Sequence, residues 1–310
     1  MTDTGHRGDA LTEQLITDFM QSHRLPPAFR GLIADHYLPL VSWLVDRRSS
    51  GKTMILGING AQGTGKSTLA DFLQLALELQ YQWRVAVLSI DDFYLTKSER
   101  RDLAEQVHPL LAIRGVPGTH DVGMLSQYLD DLRHLAAGER YRLPRFDKAQ
   151  DDRAPVAAWP QVTGPIDLII LEGWCVGSVA QDDAELATSI NDLERDKDPR
   201  CEWRKYANDR LKSDYAQLFS ALDALVFLQA PSFEAIYNWR LEQEQKLAAS
   251  VPAGAPGIMN SAQIAEFMQS FERISRSNLA LFPKDADVVF VLGEDHGVLA
   301  SQYRSGIRCS

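Results

Sequence analysis

Short apolar runs alternate along this chain with longer segments in which apolar residues recur every three or four positions. The runs have the length and composition of buried strands, and they occupy residues 53–58, 83–90, 166–171, 222–228 and 287–292. Helical spacing of apolar residues follows at 67–81, 124–135, 232–247 and from 261 onward. This alternation predicts an α/β fold, in which a mostly parallel five-stranded sheet carries helices on both faces.

The residues that precede the first strand carry two helical patterns of their own. One apolar stripe covers 11–19, and a second covers 29–48 after the break at Pro26 and Pro27. We predict that residues 1–50 form a helical extension packed on a main domain of 51–310. The alternative is that these helices form a dimer surface.

Several segments lack a clear apolar period. We expect 95–121 to be irregular and 141–160 to be a polar loop. Residues 181–214 are highly charged and weakly patterned, which predicts a solvated insertion rather than a partner site. Residues 251–257 are rich in Pro, Gly and Ala and are expected to form a hinge.

The first predicted strand runs directly into a glycine-rich segment. Residues 60–67 match the phosphate-binding pattern G-x-x-x-x-G-K-S at every fixed position. The glycines let successive N–H groups face a phosphate, and the following helix directs its positive end toward it. Lys66 is expected to reach the β- and γ-phosphates and Ser67 to hold Mg²⁺. The predicted nucleotide-binding residues are Gly60, Ala61, Gln62, Gly63, Thr64, Gly65, Lys66, Ser67 and Thr68.

Carboxylates stand at the ends of two further predicted strands. Asp91 and Asp92 follow the second strand, and Glu172 follows the third. Ligands of a parallel sheet gather at the carboxyl ends of its strands, so these groups should meet the triphosphate. A Mg²⁺ ion takes one or two carboxylates at such a site, and a hydroxyl acceptor needs a group that takes its proton. We assign Asp91 as the candidate base and Glu172 as the candidate metal contact, although the two roles could be exchanged.

Cationic side chains are the next candidates, because phosphoryl transfer develops negative charge that guanidinium groups stabilise. Arg240 lies on the helix after the fourth strand and is a candidate lid residue. A second group lies in loops between the second and third strands, where it would suit an acidic acceptor such as a carboxylate. Its members are Arg114, His120, Arg145, Lys148 and Arg153.

Composition narrows the class of protein without changing this picture. The 310 residues carry a formal net charge of -10 and contain no basic run, which argues against nucleic-acid binding. Three cysteines without metal-type spacing suit a reducing compartment. No apolar run is long enough for a signal peptide or a membrane span. We therefore expect a cytoplasmic protein; the sequence does not indicate its oligomeric state.

Five successive motifs resemble one family. The segments GINGAQGTGKST, IDDFYL, RGVPGTHD, LPRFDKAQDDR and IILEGW are similar to the glycerate kinases of plants, fungi and bacteria. These are P-loop kinases related to uridine kinase, pantothenate kinase and phosphoribulokinase. The likeness is close over about residues 50–180 and looser through YNWRLEQEQ and beyond. The P-loop alone is unspecific, whereas IDDFYL and RGVPGTHD together are distinctive.

The resemblance implies a P-loop NTPase fold and transfer of phosphate from ATP, with Mg²⁺, to D-glycerate to give 3-phosphoglycerate. It also implies that Asp91 is the catalytic base and that Arg240 is a lid arginine. Asp92 and Tyr94 join the candidate substrate-binding residues, because they belong to the IDDFYL segment.

Two other functions are consistent with the same motifs. One keeps the fold but uses another acceptor, such as a nucleoside, pantothenate or a sugar phosphate. The other is a nucleotide-switch GTPase that acts through a partner protein. The chain has no N-K-x-D segment at a later strand end of the kind that guanine-specific GTPases carry, which disfavours this alternative.

Overall fold

A computed structural model describes residues 5–49, 51–250 and 259–304. Its helices are α1 Gly5–Ser22, α2 Phe29–Leu32, α3 Leu38–Arg47, α4 Lys66–Tyr81, α5 Lys97–Gln106, α6 Val122–His134, α7 Asp183–Leu186, α8 Asp192–Lys197, α9 Glu202–Arg210, α10 Ala216–Phe219, α11 Phe233–Ser250 and α12 Ser261–Asp285. Its strands are β1 Met54–Gly60, β2 Val85–Ser89, β3 Arg140–Arg142, β4 Phe146–Asp147, β5 Asp152–Arg153, β6 Gln161–Thr163, β7 Leu168–Gly173, β8 Ala224–Gln229, β9 Val288–Leu292 and β10 Val298–Tyr303.

The central sheet has six strands in the order β10-β9-β8-β1-β7-β2. The five predicted strands are all present and run parallel, which confirms the predicted α/β class. The sixth strand, β10, pairs antiparallel with β9 at the edge of the sheet. Its residues are partly or fully exposed and mix apolar with polar side chains, so it lacks the apolar run that predicted the other strands. In the register, Glu172 pairs with both Ile58 and Ser89, so β1, β7 and β2 end side by side.

The helices before β1 contribute to the core that covers one face of the sheet. Phe19 of α1 contacts Phe72 of α4 edge-to-face at 5.2 Å between ring centroids. Tyr37 lies between α2 and α3, 5.4 Å from Phe72 and 6.1 Å from Phe290 of β9. These rings bury apolar area between the first helices, α4 and the sheet.

The expectation of an irregular segment at 95–121 is wrong, because α5 occupies 97–106. A capping box begins this helix: the Thr96 hydroxyl accepts from the N–H of Glu99 at 3.3 Å, and Glu99 accepts from the N–H of Thr96 at 2.7 Å. The helix has few apolar residues, so no helical spacing of apolar residues indicates it in the sequence. Its buried Arg100 instead donates to the Leu95 carbonyl at 2.7 Å and to Asp151 at 2.6 Å.

Residues 181–214, which were expected to form a solvated insertion, contain helices and buried side chains. They form α7, α8 and α9, and Trp203 of α9 packs in a small core with Leu111 and Val116. Two of the charged side chains form a buried pair, Arg204 and Asp198, at 2.9 Å and only 3% and 1% exposed. Most of the segment's other ion pairs are exposed, as in Arg195 with Asp192, so the expectation of a solvated segment fails at this buried pair, which composition does not reveal.

Two further expectations concern a hinge between the last two helices and the lack of a membrane span. The hinge predicted at 251–257 lies outside the described residues. Over the part of the chain that the structure describes, no helix is both long enough and apolar enough to cross a membrane.

Candidate active site

The segment 60–67 forms a compact loop between β1 and α4. Gly63 and Gly65 take φ values of 81° and 87°, in the left-handed region that favours glycine. A Cβ at Gly60 would lie 2.5 Å from the Thr64 hydroxyl, so this position also needs glycine. Thr64 closes the turn by donating to the Ala61 carbonyl at 2.8 Å. The loop therefore leads into the amino end of α4, the geometry that binds phosphate.

Lys66 and Ser67 lie in the first turn of α4. The Lys66 ammonium donates to the Ala61 carbonyl at 3.0 Å, so it folds back over the loop. The Ser67 hydroxyl donates to Glu172 Oε1 at 3.3 Å, which joins the loop to the end of β7. Burial lowers the pKa of Lys66, while the negative charges of Glu172 and Asp91 oppose that shift. The predicted lysine, serine and glutamate thus lie at one edge of the sheet.

Asp91 and Asp92 lie in a short 3₁₀ turn, Ile90–Phe93, directly after β2. Asp91 accepts from the Tyr94 hydroxyl at 3.1 Å and from the Lys148 ammonium at 2.7 Å. Asp92 accepts from the N–H of Phe146 at 2.9 Å. Asp91 therefore binds Lys148 directly, whereas Asp92 holds the loop that carries Lys148.

The two carboxyl groups of this turn differ in pKa. Burial alone would raise the pKa of Asp91. The charge and hydrogen bond of Lys148, together with the charges of His120 and Lys66, lower this pKa by more than burial raises it, so the net shift is downward. Burial dominates at Asp92 and raises its pKa. Asp91 is consequently the more acidic of the two groups and is ionised near pH 7.

The RGVPGTHD segment forms a tight loop that pairs with the end of this turn. Tyr94 and His120 form an antiparallel bridge, flanked by the bond from the N–H of Leu95 to the Thr119 carbonyl at 2.9 Å. Gly118 takes a φ of 97°, and a Cβ there would collide with the ring of Tyr206. The glycine at position 118 of this motif is thus explained by the path of the backbone.

Each predicted cation of the acceptor side is paired with a carboxylate, apart from the histidine. Lys148 pairs with Asp91 at 2.7 Å, Arg145 with Asp92 at 3.2 Å, and Arg153 with Asp121 at 2.7 Å. Arg114 pairs with Asp151, which also binds the buried Arg100. The expected cation cluster is therefore a network of ion pairs. Sequence spacing located the cations but did not indicate their partners.

His120 is the member of this group that forms no ion pair among the described residues. Its ring is 4% exposed and stacks on Tyr94 with 4.3 Å between centroids and 20° between planes. Its Nε2 is buried and has no hydrogen-bond partner in the described part of the chain. Burial lowers the pKa of His120 to about 4, so the ring is neutral near pH 7.

Arg240 lies on α11 as the sequence predicted, but it pairs along its own helix. Its guanidinium lies 2.6 Å from the buried carboxylate of Glu244. The neighbouring Trp239 also reaches the phosphate loop, since a Cβ at Gly63 would lie 2.9 Å from it. The assignment of Arg240 as a lid residue remains a prediction.

Trp239 and His296 flank the phosphate loop and were missed by the sequence analysis. The two rings stack at 4.5 Å between centroids, and Nδ1 of His296 bonds the Gly63 carbonyl at 3.0 Å. Trp239 also donates to the Glu294 carbonyl at 2.7 Å. The turn after β9 places His296 there, and no spacing in the sequence indicates it.

The residues present fit a magnesium-bound triphosphate. Over the described part of the chain, three or more His, Cys, Asp or Glu side chains nowhere form a cluster that could hold a metal alone. Ser67 and Glu172 instead offer one hydroxyl and one carboxylate beside the loop. Mg²⁺ commonly takes one or two protein ligands and completes its shell with phosphate oxygens and water.

Comparison with known proteins agrees with this geometry, although no family model matches the chain. An uncharacterized kinase of Schizosaccharomyces pombe is 33% identical over 236 residues, which are 72% of this chain and 80% of that protein. The chloroplastic D-glycerate 3-kinase of Arabidopsis thaliana is 26% identical over 253 residues, 76% of this chain and 52% of that protein. The chain thus spans about half the length of this plant relative.

A solved structure supports the same relationship. The D-glycerate 3-kinase from Cryptococcus neoformans var. grubii is similar with a TM-score of 0.71 at 26% identity, covering 90% of this chain and 100% of that one. The fold of this chain is thus shared with a solved D-glycerate 3-kinase. This chain belongs to the D-glycerate 3-kinase-like family of P-loop kinases.

Proposed function

We propose that this protein is an ATP-dependent kinase that phosphorylates a hydroxyl of a small acid, with D-glycerate as acceptor and 3-phosphoglycerate as product. The observation that carries the proposal is the meeting of three groups at one sheet edge. Lys66 of the phosphate loop, the Ser67–Glu172 pair and the ionised Asp91 interact there. The choice of glycerate is supported by the named activity of the plant and fungal relatives.

The donor side would be held by the phosphate loop. The N–H groups at the start of α4 and the Lys66 ammonium bind the phosphates and stabilise the charge that develops on the transferring group. Ser67 and Glu172 would hold Mg²⁺, which would neutralise part of the charge of the phosphates. Lys66 must then exchange its bond to the Ala61 carbonyl for phosphate oxygens.

The acceptor would lie between the Ile90–Phe93 turn and the loop that carries His120. Asp91 accepts the proton of the acceptor hydroxyl while the hydroxyl oxygen forms a bond to the γ-phosphorus. The bond from that phosphorus to the β–γ bridging oxygen breaks, which releases ADP. The unpartnered Nε2 of His120 is positioned to donate to an acceptor oxygen.

The acidic group of the acceptor would meet the arginines. A guanidinium has five N–H donors, so Arg145 can bind a carboxylate while it still donates to Asp92. Arg114 and Arg153 are similarly paired but partly exposed. In this arrangement the aspartate partners orient the arginines, and the acceptor carboxylate accepts hydrogen bonds from the N–H groups that remain.

A panel of acceptors measured by ADP release tests this proposal. We expect D-glycerate to raise the rate well above the ATPase background, and pantothenate, uridine and ribulose 5-phosphate to leave it near that background. L-glycerate, with the same charge and opposite configuration, is the matched control. A signal with another acceptor and none with D-glycerate would replace the glycerate assignment. Tighter binding of GTP than of ATP would favour a nucleotide switch.

A further inference from the structure

The hydroxyl of Tyr215 lies at the back of the proposed acceptor site. Tyr215 ends the π-helical turn Leu211–Tyr215 between α9 and α10, and its side chain is completely buried. Its hydroxyl makes two hydrogen bonds, one with the N–H of Gly118 at 3.0 Å and one with Nδ1 of His120 at 2.6 Å. Burial holds the pKa of Tyr215 well above its usual value, so the hydroxyl keeps its proton.

The direction of these two bonds follows from what each group can do. A backbone N–H can only donate, so the Tyr215 oxygen accepts from Gly118. The single phenolic proton then has Nδ1 of His120 as its acceptor. In a neutral imidazole only one nitrogen carries hydrogen, so Nδ1 accepts and Nε2 carries the proton.

This tautomer makes the free side of the ring a donor. Nε2–H is buried and lacks a partner among the described residues, and an unpaired buried donor is costly unless a ligand satisfies it. Tyr94 links the ring to the base, because it stacks on His120 and donates to Asp91 at 3.1 Å. A hydroxyl that gives its proton to Asp91 has oxygen lone pairs left to accept from His120.

We propose that Tyr215 is a positioning residue that fixes His120 as an Nε2–H donor to an oxygen of the acceptor. The proposal rests on the proposed kinase function for the identity of the ligand, but not for the tautomer. It gives the segment around 181–215 a function, since the end of this segment orients a group of the acceptor site. Tyr215 also joins two residues of RGVPGTHD, because its hydroxyl bonds both the N–H of Gly118 and the ring of His120.

Nitrogen NMR of ¹⁵N-histidine-labelled protein at pH 7 tests the tautomer without any ligand. The chain has seven histidines, and the His120 signals are identified by their loss in His120→Gln. We expect a protonated Nε2 and an unprotonated Nδ1 in the natural protein. Tyr215→Phe should shift the ring toward the Nδ1–H form or a mixture. A protonated Nδ1 in the natural protein, or an unchanged tautomer in Tyr215→Phe, would overturn the proposal.

Kinetics with D-glycerate tests the consequence for the acceptor. Tyr215→Phe should raise KM for D-glycerate about fivefold, the factor that corresponds to the ~1 kcal/mol of one neutral hydrogen bond. KM for ATP and kcat should change less than about twofold, because neither depends on that bond. Tyr206→Phe is the matched control, because Tyr206 also lies against Gly118 but makes no bond to His120 among the described contacts. An equal rise in KM in both variants would contradict a specific role of Tyr215.

The two tests separate the two proposals. If the tautomer is as expected but D-glycerate gives no turnover in any variant, the kinase assignment fails and the role of Tyr215 in orienting His120 stands. If D-glycerate is phosphorylated but the tautomer does not depend on Tyr215, the positioning role fails alone. His120→Gln, whose amide N–H can replace Nε2–H, should retain a lower KM than His120→Phe.

Discussion

Replacing Asp91 by asparagine removes the proposed base while keeping its shape. The asparagine oxygen can still accept from the Tyr94 hydroxyl, but the amide cannot accept the proton of the acceptor. General base catalysis contributes typically about 10²–10⁴-fold, so kcat should fall by that factor, equivalent to roughly 3–5 kcal/mol of barrier. The substitution also breaks the ion pair with Lys148, whose side chain is 59% exposed. Such a solvated pair contributes only about 0–1 kcal/mol to stability.

The difference between these two magnitudes makes the test decisive. Single-turnover rates with saturating Mg²⁺-ATP and D-glycerate should fall at least about a hundredfold, by the magnitude typical of base catalysis. The melting temperature and the dissociation constant of ATP should remain close to those of the natural protein. If Asp91→Asn keeps near-natural turnover at saturating acceptor, Asp91 is not the base. A comparable loss in ATP affinity would instead indicate that Asp91 acts on the donor side.

Three further substitutions probe the surroundings of the site. Lys148 lowers the pKa of Asp91, so Lys148→Met should raise that pKa and move the acid limb of the kcat–pH profile to higher pH. Gly118→Ala should cost at least about 1–2 kcal/mol in denaturant unfolding, because a left-handed φ is unfavourable for alanine and its Cβ meets a ring. Asp198→Ala leaves the buried Arg204 unpaired and should cost about 3–5 kcal/mol by the same measurement.

Matched controls accompany these substitutions. Gly31→Ala lies in a helix with open space around its Cβ, so it should be neutral or slightly stabilising, in contrast to Gly118→Ala. Lys205→Met removes an exposed lysine paired with Asp209 and should leave the acid limb unchanged. An unchanged acid limb in Lys148→Met would show that this lysine does not set the pKa of Asp91. If Gly118→Ala unfolds at the same denaturant concentration as Gly31→Ala, the backbone at Gly118 is not strained by a side chain.

The donor half of the site was predictable from sequence because its chemistry is local. The loop 60–67 is contiguous, and its glycines, lysine and serine each have a backbone or phosphate reason to be there. Asp91 and Glu172 were also predictable, because the ends of parallel strands meet at one edge. The register confirms this meeting, since Glu172 pairs with residues of both β1 and β2.

The acceptor half depends on contacts between distant segments, which spacing does not encode. The sequence located Arg145 and Arg153 but not their partners Asp92 and Asp121, 53 and 32 residues away. Tyr215 bonds His120 from 95 residues further along the chain. Helix α5 was missed for a different reason: a capping box and a buried arginine define it instead of an apolar stripe.

Phosphorus NMR of the reaction of D-glycerate with Mg²⁺-ATP is the most direct test of the proposed activity. The γ-phosphate signal of ATP should disappear. Signals of ADP and of a phosphate monoester coupled to the protons of carbon 3 should replace it. Lys66→Ala should abolish that conversion, since the ammonium stabilises the transferring phosphate. Appearance of ADP with inorganic phosphate alone, or of a monoester only with a different hydroxyl acceptor, would contradict D-glycerate phosphorylation.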